Sequence, residues 1–161
     1  MSQHRLSKLD SACWFAVVEA YQTCNRRYSA MLKEFDLTIP QYDVLSAIDK
    51  LGERAQPKQI ADELVVTRGN VTGLLTRLQE RRLIRTRQSE SDGRSFLCEL
   101  THRGETLLGD ARAAAALFIA EQLAPFDDAS KTEMESTMRR MQAHLESLDP
   151  IAIVMRAKEA T

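Results

Sequence analysis

The sequence predicts a mainly α-helical fold with one small β-hairpin. Apolar residues recur every three or four positions through most of the 161 residues, which is the period of an amphipathic helix. The stretch LIRTRQSESDGRSFLCELTHRGE, residues 83–105, instead alternates residue types in two short runs, which is the period of a strand. A composition of 43% hydrophobic and 28% charged residues favours an ordered globular chain over a disordered one.

The first predicted helix is long. Its apolar positions repeat over more than about six turns, which exceeds what the core of one small domain needs. We therefore expect this helix to pack against something beyond its own domain. The repeating positions are Leu9, Cys13, Ala16, Val17, Ala20, Cys24, Tyr28, Met31 and Phe35.

Three shorter helices are predicted to follow. The first has Thr38 as its N-cap, Pro40 in its first turn and Gly52 at its end. The second begins at Pro57. The third carries an apolar stripe at helical spacing, which we expect to face the core. This stripe consists of Val71, Leu74, Leu75 and Leu78.

The opposite face of the third helix is small, polar and positively charged. Two short helices joined by a tight turn, with such a face on the second, are typical of a helix that enters a DNA major groove. No acidic residue occurs in residues 68–79, although an ordinary solvated face is the alternative. Gly69 and Gly73 each weaken the helix by about 1 kcal/mol relative to alanine, which close approach of a base edge would explain. The face consists of Arg68, Asn70, Thr72, Gly73, Thr76 and Arg77.

The two alternating runs predict a β-hairpin around the loop SESDGR. Asp92 and Gly93 favour a reversal there, because this pair of residues adopts positive φ at low cost. Arg94 is then expected at or near the tip of the hairpin.

Two helices and a tail complete the predicted fold. Thr101 is expected to cap a long alanine-rich helix that ends at Pro125, and Asp127 or Asp128 to cap the last helix. The last helix repeats methionine and leucine at helical spacing, which is typical of a core rather than of a binding site. Both helices and the first one would bury their apolar faces best against a second copy of the chain. The tail, PIAIVMRAKEAT, could dock on its own chain or on that copy.

Charge is unevenly distributed along the chain. Residues 54–103 contain ten Lys and Arg against six Asp and Glu, whereas the remainder contains twelve against seventeen. This separation favours a surface for an anionic partner, with chance surface charge as the alternative.

The three cysteines, Cys13, Cys24 and Cys98, lack the short spacings of a zinc site and stand among apolar neighbours. We expect them to be reduced core residues. No apolar run is long enough for a membrane span, and MSQHRLSKLD lacks the apolar core of a signal peptide. The expected location is therefore the cytoplasm, without membrane contact.

Two stretches carry a resemblance to a known family. They are LTIPQYDVLSAI and QIADELVVTRGNVTGLLTRLQERRLIRTRQSESDGRSFLCELTHRGETLL, flanked by the long helices. In order and spacing, residues 9–148 resemble the MarR family of winged helix-turn-helix transcriptional regulators. The resemblance implies a DNA-binding domain in residues 37–103, with the hairpin as its wing. It also implies a helical dimerisation region in residues 1–36 and 104–161.

The resemblance further implies how the chain would act. Family members usually bind double-stranded DNA as homodimers on pseudo-palindromic operators, commonly as repressors. Half-sites would lie about one helical turn, roughly 34 Å, apart. Arg94 would reach into the minor groove, and Asp92 would hold the arginines in place by ionic pairing.

The same resemblance proposes the other DNA contacts. Arg68, Asn70 and Thr72 are candidates for base-edge contacts. For the phosphate candidates, a solvated strand edge is the alternative for Arg85 and Arg87, and a helix-end cation is the alternative for Arg77. Those candidates are Lys58, Arg77, Arg85 and Arg87.

Many family members release DNA when a small phenolic or anionic compound binds near the dimerisation helices. Core packing is the favoured alternative for each residue of that region. The thiol-sensing branch of the family has its reactive cysteine at the position of Trp14 here. Cys13 lies one residue earlier, about 100° away around the helix, which weakens the case for redox sensing. The candidate effector residues are Trp14, Val17, Tyr21, Tyr42, Leu45 and Arg112.

Two other function classes fit the sequence less well. An enzyme is disfavoured because His4, His102 and His144 are scattered and neither a phosphate-binding loop nor a nucleophile elbow occurs. We therefore expect no catalytic residues, metal or cofactor. A winged helix that binds protein is the other alternative, against which stands the uninterrupted polar face together with Arg94.

Overall fold

The computed structural model describes residues 6–88 and 96–159. The mainly helical fold with one antiparallel hairpin is confirmed. The elements in chain order are α1 (Lys8–Lys33), α2 (Ile39–Leu51), a short 3-10 helix (Gly52–Arg54), α3 (Pro57–Leu64), α4 (Arg68–Glu80), β1 (Ile84–Gln88), β2 (Phe96–Leu100), α5 (His102–Leu123), α6 (Asp128–Ser147) and α7 (Pro150–Glu159).

The predicted helix caps are present. The Thr38 hydroxyl accepts a hydrogen bond from the backbone N–H of Gln41, whose side chain accepts one from the Thr38 N–H, forming a capping box. Gly52, with a φ of +53°, closes α2 in a backbone conformation that favours glycine. Of the two candidates for α6, Asp127 is the cap, and its carboxylate accepts from the Ser130 N–H at 2.8 Å.

Two compact units divide the chain. One is Ala20–Phe118, and the other contains the described residues of Met1–Glu19 and Ile119–Thr161. The C-terminal part of α1 and most of α5 thus belong with α2, α3, α4 and the hairpin. The functional division at residues 36 and 104 remains a prediction.

The apolar stripe predicted for α4 lies in the core of the unit Ala20–Phe118, whereas the buried residue of α1 is Leu32, which its predicted stripe did not include. Val71, Leu75 and Leu78 of α4 are buried, while Leu74 is partly exposed. Leu32 from α1 and Leu108 from α5 enter the same cluster. Residues of α1 and α5 therefore belong to the same core as the inner face of α4.

The hairpin is held in a defined register, with Ile84 opposite Leu100 and Arg85 opposite Glu99. The backbone N–H of Cys98 donates to the carbonyl oxygen of Ala55 at 2.8 Å, which joins β2 to the segment before α3. The turn predicted at Asp92 and Gly93 lies outside the described residues.

The second unit, which holds α6 and α7, leaves its apolar residues exposed in the protomer. The methionine stripe is not a closed core in the protomer, because Met134 and Met138 are 39% and 41% exposed. The expectation of three core cysteines is wrong for Cys13, which is exposed, whereas Cys98 is buried. The tail forms α7, and α6 and α7, described over their full lengths, contain no buried residue.

None of the helices, over the described residues, combines the length and the apolar character needed to cross a membrane.

A close backbone approach requires a glycine at the start of α5. A Cβ added to Gly104 would overlap the carbonyl oxygen of Leu83 and lie 3.0 Å from its carbonyl carbon. Gly109, on the same helix, has nothing within 4 Å of an added Cβ. A methyl group at position 109 therefore meets open space, whereas one at position 104 meets the backbone of Leu83.

Gly104→Ala is expected to lower the free energy of unfolding by about 1–3 kcal/mol, because the backbone must shift to admit the methyl group. Gly109→Ala is expected to raise it by about 0.5–1 kcal/mol through helix propensity. Urea denaturation followed by circular dichroism measures both. Equal effects of the two substitutions would contradict the close approach.

Candidate nucleic-acid interface

The turn between α3 and α4 fixes where α4 begins. Val65 closes α3 in the left-handed conformation, with a φ of 55°, and its N–H donates to carbonyl groups at the end of that helix. The Thr67 hydroxyl then accepts from the Asn70 N–H at 3.4 Å and caps α4. Ile60 and Val71 are fully buried, so both helices are anchored on the core. This is the helix-turn-helix arrangement that the sequence predicted.

The outer face of α4 is exposed as predicted. The hydroxyl of Thr72 donates to the Arg68 carbonyl at 2.9 Å, and that of Thr76 to the Thr72 carbonyl at 3.1 Å. Their oxygen atoms can still accept hydrogen bonds. The exposed residues of this face are Arg68, Gly69, Asn70, Thr72, Gly73, Thr76 and Arg77.

Gly69 and Gly73 have no neighbour within 4 Å of an added Cβ. Packing among the described residues therefore does not require glycine at either position. A hollow of about 540 Å³ runs beside them, bounded by Pro40 and Asp43 of α2 and by Arg77. Burial raises the pKa of Asp43. The small residues leave the backbone of α4 open to a ligand that comes close to it.

Two of the phosphate candidates are exposed. Lys58 lies in the first turn of α3, and Arg77 lies in the last turn of α4. Asp92 and Arg94, the wing residues that the sequence proposed, lie outside the described residues. Their roles remain predictions.

The other two phosphate candidates, Arg85 and Arg87, are paired with one carboxylate. Arg85 Nε donates to Glu99 Oε2 at 2.9 Å, and Arg87 Nε donates to Glu99 Oε1. The hydrogen bond from Arg87, reinforced by that from Arg85, lowers the pKa of Glu99. Sequence reasoning did not select Glu99, although the strand register places it opposite Arg85. Aligning the two strands across the loop would have placed Glu99 opposite Arg85.

The candidate effector residues fall into different environments. Tyr42 is half-buried, with its ring edge-on to Tyr28 at a centroid distance of 6.2 Å. Leu45 is fully buried, and Arg112 Nη2 donates to Asp49 Oδ2 at 2.8 Å. Tyr21 is 69% exposed. Trp14 and Val17 belong to the other compact unit, where Trp14 is exposed and Val17 half-buried.

One residue on α2 was missed by sequence reasoning. The Ser46 hydroxyl oxygen is buried and has no hydrogen-bond partner among the described residues. Ser46 lies one turn after Tyr42 and one turn before Asp49, which places the three on one face of the helix. A serine in an apolar helix gives no sequence signal of this kind. A buried hydroxyl without a partner carries a desolvation cost that a bound polar group could remove.

The pKa of buried groups nearby follows from desolvation. Burial raises the pKa of Tyr28 to about 12 and that of the Cys98 thiol to about 11. Cys98 is therefore protonated and unreactive at neutral pH. Within residues 6–88 and 96–159, no three histidine, cysteine or acidic side chains are grouped so that they could hold a metal ion.

Comparisons with known proteins agree with this geometry. A sequence model of the MarR family matches residues 35–95. The HTH-type transcriptional regulator MgrA of Staphylococcus aureus is 34% identical over 107 residues, which cover 65% of this chain and 69% of MgrA.

Two solved structures share the fold. AbsC, a MarR family transcriptional regulator from Streptomyces coelicolor, superposes with a TM-score of 0.80 at 17% identity, covering 91% of this chain and all of AbsC. CouR from Rhodococcus jostii RHA1, solved with p-coumaroyl-CoA bound, gives 0.69 at 21% identity, covering 86% of this chain and 95% of CouR.

Proposed function

Because the chain belongs to the MarR family of DNA-binding transcriptional regulators, we propose that it acts as a homodimeric repressor released by a small phenolic or anionic compound. The exposed face of α4 is the observation that carries the DNA-binding part of this proposal. It presents cations, hydrogen-bonding groups and two glycines, and no carboxylate in residues 68–79. The proposed place of action is the cytoplasm.

In the proposed complex, α4 enters the major groove of a pseudo-palindromic operator. Arg68, Asn70 and Thr72 contact base edges from the first turns of the helix, where its N-terminus also favours nearby phosphate. Lys58 and Arg77 contact phosphates on either side. Arg94 of the wing enters the adjacent minor groove.

Arg68→Ala is expected to weaken binding to the preferred duplex by about 1–3 kcal/mol and to relax the preference for one base pair. Lys58→Ala is expected to weaken binding to all duplexes alike and to reduce the salt slope by about one. Fluorescence anisotropy measures both, on a duplex selected from a random pool and on a scrambled duplex. If both variants lost the same affinity on both duplexes, the assignment of a base contact to Arg68 and a phosphate contact to Lys58 would be contradicted.

The salt dependence of the parent protein tests DNA binding itself. Release of counterions gives a log–log slope of about −0.9 for each phosphate neutralised, whereas a helix-in-groove protein contact is less sensitive. If selection from the random pool yields no preferred duplex, or if binding does not depend on salt concentration, the protein-interaction alternative is favoured.

The proposed homodimer rests on the apolar surface of the second unit. α6 and α7 contain no buried residue, yet they carry many large hydrophobic side chains. Soluble monomers rarely expose large apolar patches, and a two-fold symmetric partner would cover these side chains. The exposed residues of this unit include Leu9, Phe15, Ile119, Met134, Met138, Leu145, Ile151, Val154 and Met155.

The parent protein is expected to sediment at twice the protomer mass of 18.2 kDa. Leu145→Glu should shift it towards monomer, because Leu145 is 55% exposed on α6 and a carboxylate in an apolar interface is left unpaired. Ser136→Glu, an exposed polar position on the same helix, is the matched control for the added charge. Analytical ultracentrifugation decides, and a monomeric parent would refute the dimer.

The proposed effector site rests on three residues of one unit. Ser46 has an unsatisfied buried hydroxyl, Tyr42 lies one turn before it, and Arg112 sits at the Asp49 end of the same helix face. A hydroxyl, a phenol and a guanidinium suit a ligand with an aromatic ring and an anionic group. The bound p-coumaroyl-CoA of CouR, a phenolic anion, supports this class. Thiol sensing at Cys13 remains the alternative hypothesis.

Ser46→Ala is expected to leave stability unchanged or slightly raised, because it removes a buried hydroxyl without a partner. It should also abolish the response to effector. In the parent, p-coumarate is expected to weaken operator binding, and operator DNA to weaken p-coumarate binding by the same factor. Anisotropy and calorimetric titration measure the two effects. An unchanged response in Ser46→Ala would refute its role, and a response only to peroxide would favour Cys13.

A further inference from the structure

One carboxylate joins two cations at the base of the wing. Glu99 lies on β2 directly opposite Arg85, while Arg87 is its diagonal neighbour on the same face of the hairpin. Each carboxylate oxygen accepts from a different arginine, Oε2 from Arg85 and Oε1 from Arg87. Neither guanidinium can move independently of the other while both hydrogen bonds persist.

Both hydrogen bonds use Nε, the inner nitrogen of the guanidinium group. A guanidinium has five N–H donors, so a bond through Nε restricts the orientation of the plane without using all of its donors. The side chain of Arg85 is 71% exposed, against 26% for Glu99. Most of the Arg85 side chain is therefore open to solvent and accessible to a phosphate, whereas most of the Glu99 side chain is covered.

Other acidic residues near the hairpin compete with Glu99 for these arginines. A hollow of about 340 Å³ lies beside the hairpin, and Arg85 and Arg87 line it together with the acidic residues Asp49, Glu53 and Glu105. Asp49 is already paired with Arg112, at 2.8 Å. Glu53 and Glu105 would attract an arginine that Glu99 did not hold. The pairing with Glu99 keeps the two cations from turning towards them.

We propose that Glu99 is a positioning residue for DNA binding, which orients Arg85 and Arg87 towards two phosphates without contacting DNA itself. This inference rests on the proposed DNA-binding function. Glu99 is ionised at neutral pH, as an ordinary glutamate is, and the hydrogen bonds from Arg87 and Arg85 lower its pKa further. The carboxylate can therefore hold both cations under ordinary binding conditions.

For the substitution of Glu99, the proposal predicts a change in DNA affinity opposite to the change expected from net charge alone. Removing a carboxylate close to DNA would by itself strengthen binding, because one repulsive charge is lost. If Glu99 positions the two arginines, Glu99→Gln should instead weaken binding, although the net charge becomes more positive. An amide cannot offer two anionic acceptors to two guanidinium groups.

The experiment compares operator binding of the parent, Glu99→Gln and Glu53→Gln by anisotropy over a range of salt concentrations. Glu53 lines the same hollow and pairs with neither arginine in the structure, so its substitution removes the same charge without touching the pair. Glu99→Gln is expected to bind about tenfold more weakly and to lose up to about 1.8 from its log–log salt slope. Glu53→Gln is expected to bind as well as the parent or better.

Two further variants separate positioning from folding. Glu99→Asp keeps the charge but shortens the reach, so it should fold and also bind more weakly. In the double variant Arg85→Ala with Arg87→Ala, adding Glu99→Gln should cause no further loss. Thermal denaturation by circular dichroism confirms that each variant is folded at the temperature of the assay.

The outcomes are distinct. Equal or tighter binding by Glu99→Gln, or a further loss of the same size without the arginines, would overturn the positioning role while leaving DNA binding intact. A parent that binds no duplex would overturn the proposed function, and this inference with it. A loss confined to Glu99→Gln and Glu99→Asp, with a flatter salt slope, supports the inference.

Discussion

The unit Ala20–Phe118 is held together around the carbonyl oxygen of Leu83. This oxygen accepts from the backbone N–H of Thr101 at 3.0 Å, while the Leu83 N–H donates to the Leu78 carbonyl at 3.0 Å. The Thr101 hydroxyl donates to the adjacent Arg82 carbonyl at 2.8 Å and accepts from the Gly104 N–H at 3.1 Å. The end of α4, both strands and the start of α5 therefore meet within a few residues. Because Leu83 is fully buried, this junction fixes α4 and the hairpin relative to each other.

Several polar side chains of α4 and the hairpin are also held by hydrogen bonds within the chain. Thr72 and Thr76 are tied to the α4 backbone, and Arg85 and Arg87 to Glu99. A surface whose groups are already oriented loses less conformational entropy on binding than one whose long side chains must be ordered. Residues 68–79 contain Arg68 and Arg77 and no acidic residue, so the outer face of α4 is positively charged.

The two compact units are stabilised in different ways. The unit Ala20–Phe118 has a continuous core that includes Leu32, Leu45, Leu78 and Leu108. The helices α6 and α7 have no buried residue and leave methionine, leucine and isoleucine side chains exposed. A segment of that size cannot bury enough apolar surface alone to offset its ordering entropy. Its exposed face makes association with a second copy the natural completion of the fold, as proposed above.

Local signals in the sequence determined the elements, whereas tertiary structure decided which polar groups meet. Thr38, Gly52 and Asp127 were identifiable as caps because capping depends on residues three or four positions away, and the stripe of α4 because burial follows helical period. The hairpin was visible from its alternation, but its pairing of Glu99 with Arg85 and Arg87 required a register across a loop. Gly104 is needed because α5 passes close to the backbone of Leu83. The Ser46 hydroxyl has no hydrogen-bond partner among the described residues because its helix packs into a core. The exposure of Cys13 and the methionine stripe also follows from packing, since periodicity shows that a face is apolar but not what covers it.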